Sequence, residues 1–208
     1  MENKDIYWEP ARSASVEFKE KRSLFIGHVC VARNEEEARA FVREISKKYS
    51  DATHNCWAYR VGSERVVEYY SDAGEPSGTA GKPILGAIQH AGVTNAIVVV
   101  TRYFGGIKLG VRGLIEAYGK GAAMALEEAG KVARRVSLNA KVVLGYEHTR
   151  NFIAQLKDMD VHENLIDATY EANVTLRFPV AKSYVAQAEE LFKGYEARGL
   201  IISWAWES

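Results

Sequence analysis

The sequence predicts an α+β protein of two domains. Three observations carry that expectation. Strand-like alternation and helix-like periodicity succeed one another from residue 13 onward, so neither an all-helical nor an all-strand chain fits. A basic joint, KVARRVS (131–137), separates two blocks with their own patterns, and the second block packs a β-α-β-β-α-β order into roughly seventy residues, the split βαβ or ferredoxin-like plan.

The elements read as follows. SASVEFKEKRSLFIGHVCVA alternates apolar and polar residues on both sides of a charged turn, which predicts an antiparallel hairpin. NEEEARAFVREISKKYS predicts a helix: Asn34 suits a cap, Glu35 to Glu37 the positive end of the dipole, and Lys47 and Lys48 the negative end. HNCWAYRV and RVVEYY predict two further strands, and SDAGEPSGTAGKP is a loop. PILGAIQHA predicts a second helix opening at Pro83, where the missing N–H costs nothing. Residues 96–101 predict a buried strand, and Ile115, Tyr118, Ala122, Leu126 and Ala129 share one side of a helix that ends near Gly130. The joint is expected to be a linker. Beyond it, LNAKVVLGY, NLIDATY, NVTLRFP and LIISWAW are strands, and HTRNFIAQLKDM and AKSYVAQAEELFKG are helices. The domains are set at residues 1–132 and 138–208.

Composition narrows the function. The 208 residues are 47% hydrophobic and 26% charged, ordinary for a folded chain, and 27 basic residues balance 27 acidic ones. No global field draws such a chain to nucleic acid or membrane, so affinity for phosphate must come from a local patch. Cys30 and Cys56 fall in strand patterns, the N-terminus lacks a secretory pattern, and no apolar run is long enough to span a bilayer; free thiols and a cytoplasmic location are expected.

Chemistry concentrates in TRYFGGIKLGVRGL (101–114) and SDAGEPSGTAGKP (71–83). Gly81-Lys82 imitates a phosphate loop but is followed by proline, and GGIKLGVRG contains no dinucleotide fingerprint. Two readings of the glycines stand. Both loops run into helix N-termini, where free amides favour an anion, so Lys82, Arg102, Tyr103, Gly105, Gly106, Lys108 and Arg112 form a candidate RNA or anion surface, supported by Asp72, Glu75, Ser77 and Thr79. Alternatively the glycines only permit tight turns and close packing. Tyr103 and Phe104 suit either stacking on bases or burial, with alternation turning one ring in and one out. Asp72 and Glu75 suit turn formation better than acid–base work, and Glu75 suits a salt bridge to Arg102 or Lys82. His54 and Cys56 share a strand face, but no second ligand pair exists, so a packed thiol is expected and no metal or cofactor. Trp204 and Trp206 alternate toward one side of the last strand, as core or as an anchor for a protein partner.

SDAGEPSGTAGKPIL, NAIVVVTRYFGGIKLG and LIEAYGKGA together resemble the signature of the IMPACT family, in its bacterial branch of YigZ-type proteins; the run from Arg102 to Gly110 is its most specific part, and HNCWAY resembles an earlier strand of the family. The resemblance covers residues about 1 to 130, while the remainder is similar to the small C-terminal domain of the bacterial members. It implies a ribosomal-protein-S-five domain-2-like domain followed by a ferredoxin-like domain, a pair similar to the last two domains of elongation factor G. It also implies a role in translation control or a stress response, and because no catalytic set is recognisable that role is expected to be non-enzymatic. Arg112 and Glu116 depart from the family pattern, and Glu116 lowers the local positive charge. The resulting expectation is a translation-associated protein that binds RNA or the ribosome through its glycine-basic loops. The alternatives are an enzyme acting on a phosphorylated small molecule and an adaptor binding protein through the C-terminal sheet.

Overall fold

The computed structural model describes residues 5–207 and divides into two compact units, residues 7–134 and residues 5–6 with 135–207.

In the first unit, β1 (Ile6–Pro10) is followed by the expected hairpin, β2 (Ala14–Glu20) and β3 (Ser23–Val31). Its two-residue turn places Lys21 and Arg22 both at positive φ, the mirror-image turn whose twist matches the strands. α1 (Glu35–Lys48) is capped by Asn34, whose side chain accepts from the Glu37 amide at 2.8 Å, and Glu37 returns a bond to the Arg33 amide. β4 (His54–Val61) and β5 (Val67–Ser71) lead to α2 (Gly81–Ala91), β6 (Ala96–Tyr103), α3 (Gly110–Ala129) and β7 (Lys131–Arg135). The helix expected to open at Pro83 opens at Gly81, with Pro83 still in the first turn. The joint expected to be a linker is a strand, β7, paired with β1.

The main sheet runs β2-β3-β6-β4-β5 with every neighbour antiparallel. α2 and α3 cover one face, over Phe25, Val29, Cys56, Val98 and Val100; α1 covers the other, over Tyr59, Ile97 and Val99. Because both faces are covered, β6 is buried from Ala96 through Arg102. Contact between α3 and β3 is backbone-close: a Cβ on Gly27 would stand 2.3 Å from the Gly121 carbonyl oxygen.

In the second unit, β8 (Ser137–Leu144), α4 (Tyr146–Leu156), β9 (Asp167–Tyr170), β10 (Val174–Ala181), α5 (Val185–Glu196) and β11 (Ile201–Glu207) follow the expected order, and the antiparallel sheet runs β11-β8-β10-β9. Phe152, Phe178 and Phe192 centre its core, with Trp204 and Trp206 packed against Phe192. Both indoles are tied down, Trp204 to Glu196 and Trp206 to Glu189, which favours the core reading of these rings. Asp5 belongs to this unit: its carboxylate accepts from the Ser183 amide and its carbonyl from the Val136 amide.

Candidate functional site

The two glycine loops meet. Glu75 and Pro76 from the first, and Arg102, Phe104, Lys108, Leu109, Gly110 and Val111 from the second, line one cleft of about 470 Å³ together with Thr53, His54 and Leu114.

Its floor is an internal network. Strand period two puts Arg102 on the same side of β6 as Val98 and Val100, beneath α2 and α3, opposite Phe25 and His54 in the ladder. Arg102 is only 5% exposed. Its Nη1 donates to Glu75 Oε1 at 2.6 Å, and the Tyr118 hydroxyl donates to the same oxygen at 2.8 Å. The guanidinium lies over both the Phe25 and Phe104 rings, 5.5 and 5.4 Å from their centres. Arg102 Nε has no hydrogen-bond partner among the described residues, an expensive condition for a buried charged group. His54 Nδ1 lies 2.9 Å from the Ala73 carbonyl oxygen. A carbonyl only accepts, so Nδ1 carries the proton and Nε2, 4.0 Å from Glu75 Oε1, faces the carboxylate. Burial pushes the Tyr118 hydroxyl far above its ordinary pKa, and nearby Cys56 and Glu75 add to the rise, so it remains a donor.

Asp72 answers the question of the first loop. Its carboxylate accepts from the amides of Gly78, Ala80 and Gly81 at 2.8 to 3.0 Å. Burial works to raise the Asp72 carboxyl, and the Gly78, Gly81 and Ala80 amides outweigh it and hold it below the usual carboxylate range. The anion expected at the α2 tip is therefore supplied by the chain itself. Thr79 supports the loop by donating to the Pro76 carbonyl oxygen at 2.6 Å, while Ser77 is exposed. The Cys56 thiol donates to the Asp72 carbonyl oxygen, and burial pushes its pKa up to about 12, so it is packed and unreactive.

At α3 the situation is the reverse. Among the described residues no side chain caps its N-terminus, and its first turn holds no acidic residue. Gly105 is required by close approach, since a Cβ there would stand 1.9 Å from the Arg22 carbonyl oxygen; Gly110 is required by its φ of +76°.

The expected site residues thus divide. Arg102 and Lys108 line the cleft, but the charge of Arg102 is turned inward onto Glu75, which corrects its expected role as an exposed phosphate contact. Lys82 is exposed in the first turn of α2 and is not among the lining residues. Arg112 is exposed and donates to Glu116 Oε1 at 2.8 Å. The Tyr103 hydroxyl donates to Asp51, and Gly106 sits in open space at φ +83°. Neither aromatic is core: Tyr103 is half-buried and Phe104 is 46% exposed. The sequence reading did not single out His54 as a neighbour of Glu75, nor Tyr118, which it placed on an apolar helix face. The ladder pairing of His54 with Arg102 joins two distant stretches, so no local signal marks it. Among the described residues no group of three or more His, Cys, Asp or Glu is placed to hold a metal ion, and no helix is long and apolar enough to cross a membrane.

Comparisons with known proteins place the family model within the cleft-bearing unit and extend the likeness over both units. The family model described as the Impact N-terminal domain matches residues 21–126. IMPACT family member YvyE of Bacillus subtilis is 45% identical over 56% of this chain and 54% of its own, so the match spans about half of that relative. IMPACT family member YigZ of Escherichia coli is 34% identical over 86% of this chain and 87% of its own. A solved structure described as a crystal structure of an hypothetical protein superimposes with a TM-score of 0.67, at 31% identity and over 98% and 97% of the two chains. On the family match and the length of the YigZ alignment, this chain belongs to the IMPACT family.

Proposed function

We propose that this protein is a cytoplasmic, non-enzymatic participant in translation control that docks on RNA of the ribosome through the 102–114 loop. One observation carries the reading: the loop presents Phe104, Ile107, Lys108 and Val111 to solvent while the buried Arg102–Glu75–Tyr118 network fastens its base. An exposed ring beside a lysine on a rigid support suits stacking and phosphate contact, and little ordering entropy is lost on binding. Lys82 and Lys108 make no ion pair among the described residues, so both charges are available. Family membership supports the link to translation. The element orders support the names ribosomal-protein-S-five domain-2-like for the first unit and ferredoxin-like for the second.

The carboxylates favour a binding role over an enzymatic one. Asp72 is held ionised by three amides and Glu75 is tied to Arg102 and Tyr118, so neither is arranged to take a proton from a substrate.

The test is RNA affinity and ribosome co-sedimentation over a salt series for the wild type and for Lys82→Ala with Lys108→Ala. The double variant is expected to bind about tenfold more weakly at low salt, with a log–log salt slope shallower by about 1 to 2. An unchanged affinity and slope would remove these lysines from the docking surface.

A further inference from the structure

The cleft under the loop has features beyond the exposed ring and lysine that carry the proposed docking. Its floor sets a donor and an acceptor side by side, the guanidinium of Arg102 and the carboxylate of Glu75, with His54 next to them. Arg102 is 95% buried by its 5% exposure, lines the cleft and keeps one N–H without a partner, a condition that a bound acceptor would relieve by drawing the guanidinium round. Phe104, Pro76 and Leu114 add an apolar lining. At the mouth, Lys108 stands beside the uncapped N-terminus of α3, where Gly110 and Val111 also line the cleft. Arg102 and Glu75 cancel each other, which leaves Lys108 and the helix tip as the net positive end.

We propose that this cleft holds one nucleotide, with its base between Phe104 and the apolar wall, its hydrogen-bonding edge toward Arg102 and Glu75, and its phosphate at Lys108 and the α3 N-terminus. A base edge presents acceptors and donors together, as this floor requires, whereas a simple carboxylate would meet Glu75 with like charge. A volume of about 470 Å³ falls within the range of small-molecule sites. The inference rests on reading the loop as an RNA-facing surface and adds what enters it. The unit bound is the same whether it comes from a free nucleoside monophosphate or from an unstacked residue of a single strand.

The experiment is an amide-detected NMR titration of the full chain with the four ribonucleoside monophosphates, their nucleosides and inorganic phosphate, followed by short single-stranded RNA as competitor. At least one monophosphate is expected to shift the amides of residues 104 and 108–112. It should bind about tenfold more tightly than its nucleoside and more tightly than phosphate alone, because base and phosphate sites act together. Phe104→Ala and Lys108→Ala should each weaken it several-fold. Displacement by RNA at lower concentration than the monophosphate identifies RNA as the source, and the opposite order identifies a free nucleotide. Absence of these shifts, equal binding of nucleoside or phosphate, or binding unaffected by both variants overturns the proposal. Failure here with RNA binding still dependent on Lys82 and Lys108 leaves surface docking standing; the converse result leaves only the cleft.

Discussion

Glu75 is the residue on which the loop depends. It takes bonds from Arg102 and Tyr118 through one oxygen, inside the protein, so removing the cation leaves a buried carboxylate uncompensated. Arg102→Ala should lower stability by about 3 kcal/mol or more in urea denaturation, where a surface arginine would cost almost nothing. A second residue sets a pH dependence. His28 is 1% exposed, bonds Ser15 through Nδ1 and leaves Nε2 unpartnered among the described residues; burial first, then Lys48, lowers its pKa from 6.5 to about 4. The unfolded chain takes up this proton between pH 6.5 and 4 while the folded chain does not, so stability falls as pH falls through that window. The loss should approach about 3 kcal/mol by pH 4, and His28→Asn should remove that part of the slope in denaturation at stepped pH.

At the scale of elements, the two loops that look alike in sequence are built for opposite purposes. The first folds back on Asp72, which closes the α2 tip; the second leaves the α3 tip without a capping side chain. Gly105 and Gly106 separate the two reasons for glycine. Gly105→Ala must displace the Arg22 backbone and should cost about 3 kcal/mol or more, whereas Gly106→Ala meets nothing and should cost about 1 kcal/mol for its left-handed backbone, a contrast read directly by thermal or urea unfolding. The α1 cap, both hairpin strands and the second unit's order were legible because their signals are local and agree with one another. The inward turn of Arg102 was not, since β6 is covered on both faces and its continuous apolar run from Ala96 to Val100 carries no alternation to mark Arg102 as buried. Nor was the Asp72 cap, because its carboxylate reaches amides six to nine residues onward rather than those of an adjacent helix start. The joint's basic residues concealed a strand: Arg134 is drawn to buried Glu9 at 2.7 Å, a pairing that distance in sequence hides.

For the molecule as a whole, a formal charge of zero means that any attraction to RNA is local and short in range. The family match and the cleft fall within the first unit, and the second unit's tryptophans are packed rather than presented. The proposed RNA contact therefore lies on one rim of the first unit. The most direct measurement is ultraviolet crosslinking of the protein to ribosome-derived RNA, followed by mass spectrometric mapping of the crosslinked peptides. The account predicts crosslinks at Phe104 and within residues 102–114, lost in Phe104→Ala. Crosslinks confined to residues 135–207, or equally abundant in Phe104→Ala, would contradict it.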